Sequence, residues 1–534
     1  MNNENRLYYL LLLVGAVLLF AHLGLLYVDI MEARNFVTAR EMVDDGNWIF
    51  TTMNEVPRYE KPPLPTWLSA WMGNLFGLNN VWALRFPASL SCFLLMIYLY
   101  KIVHFITKNQ KLAAISCFIL ITNFLVIYVG RRANWDIYSY SFMVIGIYYF
   151  LLALKNIKTY PNYIIAGVFF GLSVLSKGPT GPYVLLIPFY GAYVLVNGLP
   201  KWKEIWGIAF CAIITIAIGF SWYAYIYTVD AENFMAIMEK EASARGNRDV
   251  KPFTRYLSFP VQTGIWIIFS VIGLLVPMMK HRTSQPKNYM LFFYWTILSL
   301  ILISLIPSKK ERYLFPMMVP LAVTTGFYIY YLTRNITLKR WELTLNRFIF
   351  SLLGFVCLVL GIGIIFLDTS IYSLLFSIVS IVSSIAIFYF IYKKRDFEKV
   401  FYILISFMTC VGLFGIPLID KAMNNNYEKA TLLRLKPQLE KENLKLYSYA
   451  GYSPEMWFKW QGSMPEIIIE EPQTYPKEDT FYIGINEKTP ENMAKLKKTG
   501  WTLLYVGRFD DNEEKPSSKN HVERKIHYVY KVTK

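Results

Sequence analysis

Leu7 to Tyr27 reads LYYLLLLVGAVLLFAHLGLLY, and the next seven residues, Val28 to Arg34, read VDIMEAR. The apolar stretch has about the length that an α-helix needs to cross a bilayer. It is too long for a signal peptide and has no small-residue cleavage site before Asp29, so we predict a retained first transmembrane helix. Charges beside a span are costly to keep near hydrocarbon, and those that follow it therefore predict a polar site at the membrane surface.

The rest of the chain repeats the apolar pattern. Of 534 residues, 55% are hydrophobic and 17% aromatic, and runs of roughly twenty apolar residues recur along the sequence. This pattern predicts a polytopic α-helical membrane protein. About thirteen spans are predicted, near residues 7–27, 82–104, 111–129, 137–154, 163–177, 182–198, 205–227, 260–279, 289–306, 313–332, 348–367, 371–391 and 400–419.

The net charge of +17 favours nucleic acid binding only in a soluble protein. Here Lys and Arg concentrate in alternate short loops, which is the distribution that the positive-inside rule describes. We therefore predict no nucleic acid partner, a cytoplasmic N-terminus and a location in the cytoplasmic (inner) membrane. The loop after the first span and the hydrophilic tail are then both extracytoplasmic.

We predict two domains. Residues 1–419 form the transmembrane domain, whose first outer loop, 28–81, contains two amphipathic helices at 32–44 and 65–77 that lie in the membrane interface. Residues 420–534 form a small α/β domain. Its predicted elements are a helix at 424–440, a helix that Thr489 caps and that runs to 498, and strands at 444–450, 466–470, 480–485, 503–507 and 527–532.

Three residues of the first outer loop are candidates for chemistry. Lys61 precedes Pro62 and Pro63, which fix the backbone, so it presents a cation that suits a phosphate. The alternative is that Lys61 only reaches towards lipid headgroups. Asp29 and Glu32 are three residues apart and can act as a general base or hold a divalent cation. The alternative is that they cap the next helix.

Further charges lie where other predicted spans reach the same side. Arg131, Arg132 and Asp136 join the third and fourth spans, Lys177 ends the fifth, and residues 307–313 (PSKKERY) join the ninth and tenth. If these short loops converge, cations beside a carboxylate can bind a lipid-linked phosphate at headgroup depth. Each charge can also belong to a salt bridge within the bundle.

The sequence contains no strong metal motif. Neither a CxxC nor an HExxH pattern is present, and the five cysteines all fall inside predicted spans. A reaction that requires no cofactor is therefore our expectation, and a divalent cation between Asp29 and Glu32 is the alternative.

The order of motifs resembles the bacterial aminoarabinose transferase and dolichyl-phosphate-mannose protein mannosyltransferase family, which is part of the GT-C superfamily. The similar stretches are the residues from Asp29 to Arg34, AREM (39–42), YEKPPLPTW (59–67), LRFP (84–87), Asp136, SKGP (176–179), SWY (221–223) and the prolines after Tyr313. The resemblance covers most of the predicted membrane domain and extends more loosely into the tail.

This resemblance implies an inverting glycosyltransferase. Such an enzyme transfers a sugar from a polyprenyl-phosphate donor to an envelope acceptor on the outer face of the membrane. The acceptor that the family implies is a lipid A-type lipid, a protein or a glycan.

The resemblance also assigns roles to individual residues. Asp29, with Glu32 beside it, corresponds to the first-loop carboxylate near the acceptor, and Asp136 to the second-loop acid. Lys61 corresponds to the donor-phosphate lysine, and Lys177 to a further phosphate contact. The supporting candidates for the donor phosphate are Arg58, Tyr59, Arg85 and Arg131.

Two other classes of protein share part of this pattern. A transporter or flippase of a lipid-linked or anionic substrate also has a basic helical bundle, but its site lies near the bilayer midplane on repeated, broken helices. Here the charges lie at one face and no inverted repeat is evident. A ligase or polymerase of envelope polysaccharide uses the same donor chemistry, but the Lys61, Pro62, Pro63 context points away from it.

Overall fold

The computed structural model describes residues 3–247, 249–334, 338–424, 431–451, 453–486, 488–512, 516–519 and 521–534. The chain divides into two compact units. Unit 1 contains residues 1–24, 59–65 and 85–418, and unit 2 contains residues 25–58, 66–84 and 419–534. Most of the first outer loop thus belongs to the same unit as the tail.

The chain is mainly helical up to the tail. The helices of the first half are α1 (Asn3–Phe20), α2 (Ile30–Asp44), α3 (Leu64–Phe76), α4 (Val81–Thr107), α5 (Gln110–Ile121), α6 (Phe124–Gly130), α7 (Trp135–Leu154), α8 (Thr159–Lys177), α9 (Ile187–Asn197), α10 (Trp202–Gly219), α11 (Ser221–Val229) and α12 (Ala231–Asn247). A short hairpin of β1 (Thr52–Met53) and β2 (Val56–Pro57) lies between α2 and α3.

The second half continues the bundle and ends in the tail. Its helices are α13 (Phe259–Gln262), α14 (Ile267–Gly273), α15 (Val276–Arg282), α16 (Pro286–Leu305), α17 (Phe315–Thr333), α18 (Arg340–Leu367), α19 (Ile371–Tyr389), α20 (Phe397–Cys410), α21 (Ile416–Asn424), α22 (Lys436–Glu442), α23 (Pro454–Trp460) and α24 (Pro490–Lys497). The tail strands are β3 (Leu446–Tyr449), β4 (Thr480–Ile485), β5 (Thr502–Asp510) and β6 (Ile526–Thr533).

The protein is a multi-pass helical membrane protein. Among the described residues, eight helices are long and apolar enough to cross a membrane, and up to eleven spans result if each of three bent pairs counts as one. The spans near 111–129, 205–227 and 260–279 were predicted as single helices, but each region contains two, bent by 69°, 42° and 103°.

Local chemistry accounts for two of these breaks. The Asn123 side chain accepts a hydrogen bond from the Leu125 backbone N–H and so starts α6 anew. Gly264 lies between the two helices of the sharpest bend with a φ of +64°, a conformation that favours glycine.

The first apolar run also ends earlier as a helix than predicted. Helix α1 stops at Phe20, and His22 and Leu26 adopt positive φ angles of 53° and 64°. Such left-handed residues end a helix, so α1 does not continue to Asp29. The first transmembrane helix that was predicted over residues 7–27 is therefore helical only as far as Phe20.

In unit 1, burial separates inner helices from outer ones. Helix α17 is buried along nearly its whole length and packs on α5, α14 and α16. Helices α18 and α19 pair with each other and expose large apolar side chains such as Phe366 and Leu367. Apolar surface on this scale is typical of helices that contact lipid.

The first outer loop contributes two helices to unit 2, close to where they were predicted. Ala39 and Met42 of α2 pack against Ala70 of α3, because small residues let the two helices approach closely. The Trp67 indole donates a hydrogen bond to the Trp48 carbonyl (2.6 Å). Trp71 of α3 is exposed.

The tail of unit 2 contains a four-stranded mixed sheet in the order β3-β4-β6-β5. Strands β3 and β4 are parallel, and β6 is antiparallel to both β4 and β5. Alternating residues such as Phe481, Ile483 and Val532 form its core. The predicted helix from Thr489 is confirmed, with the Thr489 hydroxyl accepting from the Asn492 N–H.

Two tail predictions need correction or fall outside the structure. Residues 466–470 do not form a strand: Glu466 makes only an isolated bridge to Ser448, and the chain then turns at Glu471. The predicted helix 424–440 includes residues 425–430, which lie outside the described residues. Beyond them a 3₁₀ turn (Leu432–Leu435) leads into α22.

Within unit 2 the first outer loop and the tail are joined by specific contacts. The Arg40 guanidinium donates to the carbonyls of Trp457 (3.2 Å) and Gly462 (3.1 Å). Asn54 and Met464 exchange two hydrogen bonds, at 2.6 and 2.8 Å. Helices α2 and α23 therefore form one packed pair although they are far apart in sequence.

Candidate active site

A cluster of charges in unit 1 lies where one end each of α7, α8 and α17 come together. Helix α7 begins beside Asp136, α8 returns and ends at Lys177, and a 3₁₀ turn containing Arg312 leads into α17. An acid in the first turn of a helix and a lysine in the last turn each complement the helix dipole. The fold thus brings these three residues together at the ends of their helices.

The geometry of this cluster is that of a buried ion triad. The Lys177 ammonium contacts Asp136 Oδ1, Arg312 Nε lies 3.7 Å from Asp136 Oδ2, and the Tyr140 hydroxyl donates to Oδ1 at 3.2 Å. The Lys177 ammonium also lies 5.0 Å from the centre of the Tyr313 ring. Two cations share one carboxylate, so the cluster carries a net positive charge.

Small residues allow α7 and α8 to meet closely behind this cluster. The hydroxyls of Ser139 and Ser173 lie 3.0 Å apart, and Ser173 also donates to the Ser139 carbonyl (2.7 Å). A side chain at Gly181 would collide with both hydroxyls. The charged triad therefore rests on a tightly packed support.

Lys61 lies elsewhere in unit 1 with a different type of partner. Its ammonium is 3.6 Å from a carboxylate oxygen of Glu241, which lies on the exposed helix α12, and both side chains are partly accessible to solvent. Tyr59, two residues earlier, donates its hydroxyl to Asp230 at 2.7 Å. Both residues of this short segment thus contact acids in or just before α12.

The Tyr59 hydroxyl stays protonated. Burial raises its pKa, and the hydrogen bond to the Asp230 carboxylate raises it further. The Tyr59 ring meets Trp222 edge-on at 6.1 Å, which fixes its direction. Tyr59 therefore acts as a neutral hydrogen-bond donor beside Lys61.

Arg85 and Arg131 bind the end of the first helix rather than an open cleft. Arg131 donates to the carbonyls of Leu18 and Ala21, both at 2.6 Å, and Arg85 donates to the Leu23 carbonyl at 3.1 Å. The last carbonyls of a helix need partners from outside it. These guanidinium groups supply them, and both side chains are buried.

In unit 2, Asp29 and Glu32 form a capping box. Asp29 Oδ1 accepts from the backbone N–H groups of Met31 (2.8 Å) and Glu32 (2.9 Å), and Glu32 Oε2 accepts from the Asp29 N–H (3.4 Å). This geometry agrees with the alternative interpretation of the sequence, in which Asp29 and Glu32 cap the next helix. Glu32 is buried, whereas Asp29 is accessible in part.

Arg58 lies inside unit 2. Its guanidinium donates to the Thr38 hydroxyl at 3.3 Å, its backbone N–H donates to the Thr51 carbonyl at 2.8 Å, and its side chain is buried. These contacts tie the β1–β2 hairpin to α2. In this structure Arg58 supports the loop.

Some members of these clusters were not predicted as site residues from the sequence. The loop that carries Arg312 was noted as charged, but neither Arg312 nor Glu241 nor Asp230 was singled out. A charged residue at a span end is the only signal that a single sequence offers for them. Among the described residues, no group of three or more His, Cys, Asp or Glu side chains is arranged to hold a metal ion.

The fold matches a solved structure over almost the whole chain. The structure superimposes on ArnT from Cupriavidus metallidurans, solved bound to undecaprenyl phosphate, with a TM-score of 0.71 at 15% identity, covering 99% of this chain and 97% of that one. The apo form of the same protein gives the same values. The polytopic GT-C fold with a small C-terminal α/β part is thus confirmed.

Sequence comparison shows which proteins the chain resembles. Residues 60–225 match the family model described as dolichyl-phosphate-mannose-protein mannosyltransferase. The chain is 25% identical over 303 residues to an undecaprenyl phosphate-alpha-4-amino-4-deoxy-L-arabinose arabinosyl transferase of Shewanella sediminis, covering 55% of this chain and 54% of the relative. A relative of the same description from Enterobacter sp. is 26% identical over 306 residues, covering 55% and 53%.

These matches confirm the resemblance to the aminoarabinose transferase and protein mannosyltransferase family. The chain spans about half the length of the curated relatives it matches. The part of this chain that matches the family model contains Lys61, Asp136 and Lys177.

Proposed function

We propose that this protein is an integral membrane inverting glycosyltransferase that transfers a sugar from a polyprenyl-phosphate donor to an envelope acceptor. The observation that carries the proposal is the family match over residues 60–225, which includes the partly exposed Lys61 and both partners of the Asp136–Lys177 contact. The fold of ArnT, whose solved structure contains undecaprenyl phosphate, supports the same class of donor.

On the donor side, Lys61 is the proposed phosphate-binding residue. When the bond between the sugar and the phosphate breaks, negative charge develops on the leaving phosphate, and a cation aimed at that charge stabilises the transition state by about 3 kcal/mol. Lys61 suits this task because its acidic partner lies 3.6 Å away on an exposed helix, so a phosphate can replace Glu241. Tyr59 adds a neutral donor nearby.

The Asp136 triad has a separate proposed task. Asp136 holds Lys177 and Arg312 in place, and together these two cations keep a net positive charge at the ends of their helices. Such a fixed charge favours an anionic donor at this end of the bundle. We assign Asp136 to orienting the two cations, since its oxygens already bind three side chains.

For the acceptor, Asp29 is the proposed base. A hydroxyl acceptor gains from a carboxylate that removes its proton as the new glycosidic bond forms, whereas a phosphate acceptor is already an anion and needs no base. Glu32 orients Asp29 through the capping box. An Asp29→Asn variant therefore separates hydroxyl acceptors, such as protein Ser or Thr or a glycan, from the phosphate of a lipid A-type acceptor.

We propose that the transfer needs no resident cofactor, because cationic side chains can stabilise the leaving phosphate. A divalent cation held by Asp29 and Glu32 is the competing arrangement. Chelator treatment distinguishes them: transfer that survives EDTA supports the side-chain mechanism, and transfer that EDTA abolishes and Mg²⁺ or Mn²⁺ restores supports the cation.

The positive-inside distribution supports the proposed orientation. The protein lies in the cytoplasmic (inner) membrane with its N-terminus in the cytoplasm, and Lys61 and the Asp136 triad face the outer side. Cysteine labelling at exposed positions tests this: a Cys substituted for Lys287 reacts only with a membrane-permeant reagent, and a Cys substituted for Asn233 also reacts with an impermeant one.

The decisive experiment measures transfer of radiolabelled sugar from native polyprenyl-phosphate donors in membranes that contain the wild-type protein, Lys61→Ala or Asp29→Asn. We expect label in an extractable lipid, protein or glycan with the wild-type protein and about 100-fold slower transfer with Lys61→Ala. Extraction of the product identifies the acceptor class.

Lys287→Ala is the matched control, since Lys287 is an exposed lysine near the start of α16. It should transfer at the wild-type rate. Equal rates for Lys61→Ala and the control would refute the role of Lys61. Movement of the donor across the membrane without sugar transfer would support a transporter instead.

A further inference from the structure

At the opposite end of unit 1 from the Asp136 triad lies a second basic cleft. Helix α17 runs from Phe315, next to the turn with Arg312, to Thr333, next to Arg334, over a length of about 28 Å. Arg334 and Arg282 both line a narrow cleft at that far end. The two basic sites are thus separated by roughly the thickness of the hydrocarbon core.

The walls of this cleft are held in place by internal contacts. Arg282 Nε donates to Glu342 Oε1 (2.7 Å), and Glu342 Oε2 accepts from the Tyr331 hydroxyl (3.2 Å) and from the Lys339 N–H (3.0 Å). Asn109 donates to the Tyr330 hydroxyl at 2.8 Å. Glu342 is fully buried. Its hydrogen bond to Arg282 fixes the position of the guanidinium group.

The groups that remain to face the cleft are donors. The Tyr330 hydroxyl accepts from Asn109 and keeps its own proton to donate. The Thr283 hydroxyl accepts from the Gln285 N–H at 3.1 Å and likewise keeps its proton. The described residues that line the cleft include two arginines and no acid.

Arg334 is the accessible cation of this cleft. It is exposed, follows the last turn of α17, and lies over the Tyr330 ring at 5.9 Å. The described residues provide no acid within ion-pair distance of it. Arg282 is pre-oriented by Glu342 while its terminal guanidinium nitrogens are left for another acceptor.

From this arrangement we infer that a phosphate group of an anionic ligand binds at the mouth of this cleft, against Arg334 and Arg282. A phosphate presents several acceptor oxygens and a negative charge, and guanidinium groups match it through paired, charge-assisted hydrogen bonds. The source is either the headgroup of an anionic lipid in the adjoining leaflet or a soluble phosphate compound. On the predicted topology this is the cytoplasmic face, so the site is distinct from the proposed donor site.

The test uses purified full-length protein carrying Lys61→Ala, which removes the proposed donor lysine. This protein, delipidated in a neutral detergent, is titrated with inorganic phosphate and, separately, with phosphatidylglycerol in mixed micelles. Bound ligand is counted by native mass spectrometry. We expect one saturable site for at least one ligand and about tenfold or more weaker binding when Arg334→Gln is added.

Lys394→Gln is the matched control. It removes the same charge from an exposed lysine that follows α19, at the same end of the bundle but outside the cleft. Binding by this control should stay within twofold of the Lys61→Ala parent. The unfolding temperature of each variant, measured without ligand, confirms that Arg334→Gln folds normally.

The two titrations separate the sources of the phosphate. Binding of phosphatidylglycerol without binding of inorganic phosphate identifies a lipid headgroup, and binding of inorganic phosphate identifies a soluble ligand. Absence of binding by both, or equal losses for Arg334→Gln and Lys394→Gln, would overturn the inference. Neither arm measures sugar transfer, so the result is independent of the transferase assay.

Discussion

Two lysines of unit 1 show how burial changes what an ion pair can do. Lys177 contacts Asp136 in a setting where the side chains are 11% and 2% exposed, whereas Lys61 lies 3.6 Å from Glu241 with exposures of 18% and 28%. A buried charge cannot lose its partner without a large penalty, but a charge near water can exchange one anion for another. The first pair therefore organises the bundle, and the second can release its lysine to a ligand.

The largest expected effect comes from breaking the buried pair. Asp136→Asn leaves Lys177 and Arg312 facing each other without their carboxylate, and we expect a loss of about 3 to 5 kcal/mol in the free energy of unfolding. The measurement is the yield of folded protein and its unfolding temperature in detergent. The double variant Asp136→Asn, Lys177→Met should recover part of the loss, because it removes one of the two uncompensated cations.

His527 extends the comparison of buried and exposed charges to unit 2, because it is a buried side chain that stays neutral. Burial lowers the pKa of His527 to about 4, and Lys459 adds to the shift. Its unfolded value is 6.5, so the unfolded chain binds a proton first as the pH falls. The stability present above pH 6.5 is therefore lost progressively down to pH 4, by about 3 kcal/mol in total.

Hydrogen exchange of β6 in the full-length protein between pH 7.5 and 5 tests this expectation after correction for the intrinsic rate. His527→Gln should remove most of the dependence. His521→Gln is the matched control, since it removes the other histidine of the tail, whose ring lies 2.9 Å from the Asp510 carboxylate. Equal pH dependence in the wild type and in His527→Gln would contradict the prediction.

A third test removes Arg40, a buried cation whose hydrogen-bond acceptors are neutral carbonyl groups. Arg40→Met should cost about 2 kcal/mol, because the carbonyls of Trp457 and Gly462 lose a charged donor. Increased proteolysis near α23 in the full-length protein is the expected sign. Arg40→Lys should rescue little, since an ammonium cannot reach two carbonyls as a planar guanidinium fork does. Unchanged protection in both variants would show that these contacts do not hold the tail.

The smallest effect is expected at the partly exposed pair of Lys61 and Glu241. Under the proposed role of Lys61, the Glu241 carboxylate competes with the donor phosphate. Glu241→Gln should therefore tighten donor binding by a few-fold, with less than about 1 kcal/mol change in stability. Donor titration and the unfolding temperature check both parts. The exposed Glu239→Gln on the same helix is the control and should leave donor binding unchanged.

Local sequence patterns predicted much of the secondary structure. Helices α2 and α3 and strands β4, β5 and β6 lie close to their predicted positions, because helical spacing and alternation report burial of one face. The end of α1 at Phe20 was missed, since no glycine or proline marks it. The run 466–470 has the residue types of a strand, but only Glu466 finds a bridge partner.

The residues of the candidate site could be predicted from the sequence, but the contacts between them could not. Lys61, Asp136 and Lys177 stood out as charges at span ends and through the family resemblance. That Asp136 binds Lys177 and Arg312 depends on which helix ends meet, and a single sequence carries no signal for that. The joining of the first outer loop to the tail is likewise set by tertiary packing between distant segments.

That joining has a consequence for biosynthesis. Arg40 and its acceptor Trp457 are 417 positions apart, so at about 5 to 20 residues per second the ribosome needs about 20 to 80 s after making the first before it supplies the second. During this interval α2 has been made but its partner α23 has not. Unit 2 can therefore be completed only late in synthesis, after the ribosome has translated the tail.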